Sequence, residues 1–279
     1  MSKIWFITGS SRGIGYQAAQ AALAAGDSVV ATGRNLAALQ KQFAGIGSER
    51  LLPLALDVAD PTQVQAAVDA ALAHFGRIDV LLNNAGYGQL GLFEEISAVA
   101  VQQQFATNVF GLYNVTRAVL PAMRHQRSGR ILNISSVGGI RGVAGASLYC
   151  ATKFAVEGFS EGLADEVAQF GIAVTIVGPG YFRTDFLDAS SIRHGDAAIA
   201  DYAALSQQLR EFFDARNHQQ AGDPAELGRV LVQLAQMDSP PRRFSAGSDA
   251  VAVLRDKIAH LKAELDAFEP LSRGTDLAV

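Results

Sequence analysis

The sequence predicts an α/β fold, a doubly wound parallel sheet with helices on both faces. Three observations predict it. Short β-branched or aromatic runs alternate with longer Ala/Leu-rich stretches, which is the rhythm of βαβ units. The short runs are almost continuously apolar, as expected of parallel strands covered on both sides. The first run ends in a glycine-rich turn that opens directly into a helical stretch.

Taken in order, "KIWFIT" is the first strand, Ile14 to Ala25 the first helix, "SVVAT" the second strand and Leu36 to Phe43 the second helix. "LLPLALD", a helix from Thr62 to Phe75 and "IDVLLN" continue the alternation. A long helical stretch from about Ser97 to Arg127 precedes the strand "RILNISS", the helix holding Tyr149 and Lys153, and the strand "IAVTIVGPG". Residues 185–221 are richer in polar side chains, carry aromatics at Phe186, Tyr202, Phe212 and Phe213, and show no convincing strand. Following a strand end, such an insert reads as a lid over a substrate site or as an ordinary pair of surface helices. "GDPAELGRVLVQLAQM" restarts a helix with Asp223 as N-cap and Pro224 at its first position, and "RRFSAG" reads as a last strand.

From Ser248 the chain spaces Val251, Leu254, Ile258, Leu261, Leu265 and Phe268 by threes and fours, so a helix with one apolar stripe is expected over 248–269. Such a stripe covers either its own sheet edge or a partner subunit. No repeat or low-complexity linker divides the chain, and one domain is expected over 1–279.

The composition, 49% hydrophobic and 18% charged, is that of a globular protein. A net charge of −4 gives no general attraction to nucleic acid or to an anionic membrane surface, so neither is expected as a partner. Cys150 is the only cysteine, which excludes an intramolecular disulfide and a cysteine-based zinc site and suggests a reducing compartment. The apolar run in "MSKIWFITG" is too short for a signal-peptide core or a membrane span, so a cytoplasmic location is expected. The five histidines show no spacing such as H-E-x-x-H, and no metal is expected.

The turn after the first strand, "TGSSRGIG", carries Gly9, Gly13 and Gly15. Glycines permit the tight turn and bring backbone N–H groups close to a phosphate, while the helix N-terminus adds partial positive charge. This is a pyrophosphate cradle. The same loop matches the G-x-S-x-G of a hydrolase nucleophile elbow at Gly9, Ser11 and Gly13, but such an elbow follows several strands and only eight residues precede this one. In dinucleotide folds an acidic residue after the second strand selects a ribose hydroxyl, and a basic one accommodates a 2′-phosphate. No Asp or Glu lies between Ser28 and Ser48, whereas Arg34 follows the second strand and Arg12 lies in the glycine turn, so NADP(H) is favoured over NAD(H).

Tyr149 and Lys153 stand one helical turn apart, where a phenol and an ammonium can share one small volume. A fixed ammonium there is expected to lower the tyrosine pKa toward the range useful for acid–base catalysis. Cys150 points about 100° away around the helix and reads as packing.

With "TGSSRGIG", "NNAG" (Asn83 to Gly86), "NISS", "YCATK" and "PGYFRT" in order, the chain resembles the short-chain dehydrogenase/reductase family over roughly residues 3–185. The "SVGG" segment, the "YCA-K" form and the long C-terminal part are most similar to its 17β-hydroxysteroid and retinol dehydrogenase-like members. The resemblance implies a Rossmann-type domain, an oxidoreductase activity, a small carbonyl or alcohol substrate, and a homodimer or homotetramer. By matching position it makes Tyr149 the acid/base and Lys153 its electrostatic partner, with Ser136 and Asn108 completing a catalytic set. Ser136 is preferred to Ser135, which would point to the other face. For the cofactor it implies Gly9, Ser11, Arg12, Gly13, Ile14 and Gly15 at the phosphates, Arg34 beyond them, and Asp57 and Val58 flanking the adenine. Asn83, Ala85 and Gly86 would form the turn below it, and Pro179, Gly180 and Thr184 would meet the nicotinamide end beside Tyr149 and Lys153. The reading that follows is an NADP(H)-dependent carbonyl reductase or alcohol dehydrogenase. The insert aromatics, with Tyr87, Leu90, Leu92 and Phe93, suggest a fairly apolar substrate. The alternative is a non-catalytic NADP(H)-binding sensor or scaffold, which would be expected to lack one of the four catalytic positions. All four are present.

Overall fold

The computed structural model describes residues 2–188 and 191–277. Residues 189 and 190 of the 185–221 insert, and residues 1, 278 and 279 of the domain expected over 1–279, lie outside the described residues. In chain order the elements begin with β1 (Ile4–Ile7), α1 (Gly13–Ala24), β2 (Ser28–Gly33), α2 (Leu36–Gln42), β3 (Leu51–Ala55), α3 (Pro61–Phe75) and β4 (Val80–Asn83). They continue with β5 (Gly88–Gln89), α4 (Ala98–Phe105), α5 (Leu112–Gln126), β6 (Gly129–Ile134), α6 (Ser147–Val167) and β7 (Ile172–Pro179). The last are β8 (Ile192–Arg193), α7 (Ala203–Asp214), α8 (Pro224–Gln236), β9 (Arg243–Ala246) and α9 (Ser248–Arg273).

Seven strands form one parallel sheet in the order β3-β2-β1-β4-β6-β7-β9. Alternate side chains of β1 serve opposite faces. Trp5 and Ile7 pack with Ala18 and Ala22 of α1 and Leu227 and Leu231 of α8, whereas Phe6 packs with Val64 and Val68 of α3, Val115 and Val119 of α5 and Leu163 of α6. Both faces are buried, which is why the strands read as unbroken apolar runs. The expected cap is present, since Asp223 accepts from Ala225 N with Pro224 at the first position, and α3 is capped in the same way by Asp60, which accepts from Thr62 N and Gln63 N. Chain order reverses between β1 and β4, so a crevice opens beyond their carboxyl ends.

Three elements differ from the expectation. The stretch from Ser97 to Arg127 is helical, but Ala106–Gly111 forms a π-helical turn between α4 and α5. The insert does contain a strand, since Ile192–Arg193 pairs in parallel with Gly88–Gln89. Helix α9 runs on to Arg273, past Pro270, and does not use its stripe on the sheet edge: Ala250 is its only buried residue, and every residue from Ile258 to Arg273 is exposed.

Helices α1 and α8 meet at backbone distance, for a Cβ added at Gly228 would lie 2.6 Å from Gln17 O and 2.8 Å from its carbonyl carbon. Alanine is the better helix former by about 1 kcal/mol. Here the clash is with backbone and decides the sign, so Gly228→Ala is expected to destabilise the protein by about 1–3 kcal/mol. Urea unfolding checks this, and a variant more stable than the parent would contradict it.

Candidate active site

The crevice is held open by backbone packing. Thr8, just past β1, accepts at Oγ1 from Asn84 N (2.9 Å) and Ala85 N (3.0 Å), and Asn84 Nδ2 donates to Thr8 O and Gly9 O at 3.0 Å each. A Cβ at Gly9 would stand 2.9 Å from Ala85 Cα, and one at Gly15 2.4 Å from Asn84 Nδ2. Gly9 (φ +66°) and Gly13 (φ +58°) are left-handed, so the turn needs glycine for conformation as well as for space. Gly9, Ser11, Arg12, Gly13 and Ile14 face the cleft, with the first-turn N–H groups of α1, which have no acceptors within the helix, aimed at the same space. Such a cradle, with no side chain to fill it, suits a pyrophosphate. Arg34 borders the same end, and Arg12 and Arg34 are both exposed there. Asp57 and Val58 form the next stretch of wall, and Asp57 Oδ1 accepts from Ala59 N.

The cleft also reaches Tyr149, Lys153 and Ser136, and Pro179, Gly180, Ala85 and Gly86 line it as well, while Thr184 stands beside the glycine turn, 3.6 Å from where a Cβ at Gly13 would lie. Tyr149 lies in the first turn of α6 and Lys153 in the second, and Lys153 Nζ lies 5.7 Å from the Tyr149 ring centroid. The ammonium donates to Ile134 O at 2.8 Å, at the end of β6. Ser136 begins the short 3-10 turn Val137–Gly139, where its Oγ accepts from Gly138 N at 3.0 Å and lies near the Tyr149 ring. Room is short at Gly138, where a Cβ would lie 3.3 Å from both Tyr149 Cε1 and Cys150 Sγ.

Burial dominates the electrostatics. It pushes the Tyr149 phenol well above its ordinary value, against a smaller opposing effect of the Ser136 hydroxyl. The expectation of a lowered tyrosine is not met, because desolvation of the phenolate outweighs any attraction. Burial also pushes Lys153 down to about 8, with Glu157 acting in the opposite sense. Glu157 lies one turn further along α6, is 5% exposed, and accepts at Oε2 from Arg243 Nε (3.0 Å) and Nη2 (2.5 Å) of β9. Cys150 is buried among Leu90, Ala146, Ile192 and Phe213, and burial raises its thiol, so it serves packing as expected.

Not every expected residue reaches the cleft. Asn83 turns inward and donates to Thr116 Oγ1 and Asn133 Oδ1 at 2.9 Å each, while the neighbouring Asn84 takes the place on the wall. Gly15 lies behind the turn, acting through its missing side chain. Asn108 sits in the π-helical turn behind the wall, accepting from Tyr87 N (3.1 Å) and donating to Tyr87 O (3.0 Å) and Thr152 Oγ1 (3.2 Å), and Thr152 in turn donates to Tyr149 O (2.7 Å). It braces the tyrosine segment from behind. Ser135 borders the cleft, but its Oγ is buried on the far side, where a Cβ at Gly139 would fall against it and against Glu157, so the side chain faces away as expected.

Sequence reasoning missed Thr8 and Asn84, whose signal is the polar residue at each strand end, and of the apolar wall it named Leu90, Phe186 and Phe213 but not Val143 or Leu187. Leu90, Val143 and Cys150 face Phe186, Leu187 and Phe213 of the insert, and Phe186 stands 5.6 Å from the Tyr149 ring. The insert is tied down through Glu95, which is 3% exposed and accepts from Ser206 Oγ at 2.6 Å, and through Tyr202, whose hydroxyl donates to Glu94 at 2.5 Å. Among the described residues, Asp185, Asp188 and His218 have metal-like spacing. Asp188 Oδ1 is already engaged there by Asn217 Nδ2 (2.6 Å) and His218 Nε2 (3.0 Å). No helix among the described residues is long and apolar enough to cross a membrane.

The family model of the short chain dehydrogenases matches residues 3–194. The oxidoreductase BOA17 of Botryotinia fuckeliana is 40% identical over 98% of each chain, and the 3-ketodihydrosphingosine reductase of Bacteroides thetaiotaomicron is 39% identical over 88% of each. A short-chain dehydrogenase structure from Streptomyces avermitilis superposes with a TM-score of 0.91 at 41% identity, over 99% of this chain and 100% of that one. ElxO with NADP bound gives 0.75 at 28%, over 90% and 100%. A short-chain dehydrogenase/reductase from Burkholderia phymatum in complex with NAD shares the fold, with a TM-score of 0.82 at 24% identity over 95% of each chain. With its glycine cradle, its buried Tyr149–Lys153 pair and these likenesses along nearly its whole length, the chain belongs to the short-chain dehydrogenase/reductase family and is an oxidoreductase of that family.

Proposed function

We propose that the protein is an NADP(H)-dependent carbonyl reductase or alcohol dehydrogenase acting on a fairly apolar substrate, with Tyr149 as acid/base. The carrying observation is that the Tyr149 phenol, the Ser136 hydroxyl and the Lys153 ammonium meet at one end of a cleft whose other end is bordered by Arg12 and Arg34. When bound, the nicotinamide would supply or accept the hydride.

The chain's own residues do the rest. The glycine turn and the α1 N-terminus hold the pyrophosphate, and the two guanidiniums favour a 2′-phosphate, since no Asp or Glu lies between Ser28 and Ser48 after the second strand. Tyr149, kept protonated by burial, donates its proton to the carbonyl oxygen in reduction, while Ser136 Oγ fixes that oxygen. In oxidation the same two groups act in reverse. Lys153 stabilises the tyrosinate formed when the proton leaves and presents donors toward a ribose. Asn108 positions the tyrosine segment through Thr152.

Residues 185–221 serve as the substrate lid, placing Phe186, Leu187 and Phe213 against Leu90 and Val143. A long-chain ketone suits such a wall, a reading supported by the relative named as a 3-ketodihydrosphingosine reductase. The finer likeness to 17β-hydroxysteroid and retinol dehydrogenases points to the same apolar class.

Replacing Tyr149 by Phe is expected to lower turnover at least about 100-fold with NADPH binding little changed. Retained turnover would remove Tyr149 from the acid role. The double variant Arg12→Ala/Arg34→Ala is expected to weaken NADPH binding about 10-fold or more relative to NADH, the size of a lost charge-assisted hydrogen bond. Equal losses in a fluorescence titration would refute the NADP preference.

Between pH of about 8 and 10.5 the unfolded chain holds a proton at Lys153 that the folded chain has lost. Stability from this group therefore rises with pH through that window, and its burial cost is fully present below it. Tyr149 acts oppositely above about 10, where the unfolded chain gives up a proton that the folded chain keeps. Lys153→Met is thus expected to be about 2 kcal/mol more stable than the parent at neutral pH, with the gain shrinking toward pH of about 10. Urea midpoints at the two pH values check this, and a variant less stable at neutral pH would contradict it.

A further inference from the structure

We infer that α9 pairs with the α9 of a second copy of this chain, antiparallel, along the seam Val251, Leu254, Ile258, Leu261, Leu265 and Phe268. The seam repeats every seven residues as alternating steps of three and four, the narrow stripe of a two-helix contact and not the wider face of a helix lying on its own domain. The fold leaves it bare from Ile258 onward. Ile258 is 58%, Leu261 50%, Leu265 62% and Phe268 60% exposed. From Ile258 to Arg273 no residue is buried against the body, so about 24 Å of helix projects without tertiary support. A helix of that length is marginal in water without a packed face. Leaving four large apolar side chains uncovered compounds the cost.

Charge identifies the occupant and its direction. Arg255, Lys257 and Lys262 flank the first part of the seam, and Glu264 and Glu269 the last part. A parallel, in-register partner would set Lys257 against Lys262 and Glu264 against Glu269, like against like at each flank. An antiparallel copy sets the basic half of each helix beside the acidic half of the other, and it also opposes the two helix dipoles. The arrangement closes on a twofold axis, so both seams are buried at once. A lipid surface fits poorly, because helices that lie in membrane interfaces are rich in Lys and Arg on the polar face, and this helix carries five acidic side chains against four basic ones.

The pairing has a mechanical path to the cleft. Asp249, in the first turn of α9, accepts from Tyr181 N at 2.7 Å, and a Cβ at Gly180 would fall 2.1 Å from its Oδ1. The root of the helix therefore packs directly on the turn that borders the Tyr149 end of the cleft.

The test is the mass of the full chain by light scattering, comparing the parent with Leu261→Glu/Leu265→Glu. Both positions are exposed, and circular dichroism checks that the variant is folded. The variant is expected to have half the parent mass. Reversing the flanks, with Arg255, Lys257 and Lys262 changed to Glu, is expected to halve the mass too, and adding Glu264→Lys and Glu269→Lys to restore it. A monomeric parent, or equal masses for parent and Leu261→Glu/Leu265→Glu, would overturn the pairing. Flotation of a monomeric parent with phosphatidylcholine/phosphatidylserine vesicles, lost in the same variant, would assign the stripe to a membrane instead.

Discussion

The site depends on a cation held where solvation is poor. Lys153 is 6% exposed, and its ammonium rests on the carbonyl of Ile134 at 2.8 Å, below the phenol that it serves. A charge in such a place is costly, and the cost appears as a pKa pushed down to about 8. The surroundings offset part of it. Glu157 lies one turn away and is itself held by Arg243 of the edge strand, so the last strand of the sheet is coupled to the catalytic helix through one ion pair. In the proposed mechanism stability is traded for a group that stabilises a tyrosinate, a common arrangement at functional sites.

The second constraint is distance between backbones. The turns after β1 and β4 approach so closely that Gly9 and Gly15 admit no side chain, and Thr8 and Asn84 stitch them together. That closeness creates the crevice and directs the start of α1 into it. The insert then supplies an apolar roof, so one end of the cleft is basic and open and the other is dry and lined with aromatic and aliphatic side chains.

Much of this was legible in the residues, and the failures have identifiable causes. Continuous apolar runs revealed the sheet because both of its faces are covered, and positive-φ glycines revealed the cradle because other residues rarely adopt that conformation. Strand β8 was not legible, since two residues gain strand geometry only from their partner Gly88–Gln89, about a hundred positions away. The choice between Asn83 and Asn84 turned on a single-residue offset at a strand end, where the chain leaves the pleat and alternation no longer predicts direction. The π-helical turn at Ala106–Gly111 lies within a continuous helical stretch, and the side-chain spacing that marks the stretch as helical does not show the extra residue in that turn. The direction of the Tyr149 shift was missed because the i,i+4 spacing shows the neighbouring charge but not the depth of burial, and depth decided the outcome. The stripe of α9 was visible from the start, but its uncovered state required the fold.

The most direct test is NADPH oxidation by the purified protein, followed at the nicotinamide absorbance, over a panel of ketones and aldehydes of increasing chain length with NADH in parallel. The expected result is turnover that favours NADPH and improves with apolar chain length. Tight NADPH binding with no carbonyl turned over would contradict the enzymatic reading and make the protein a dinucleotide-binding sensor.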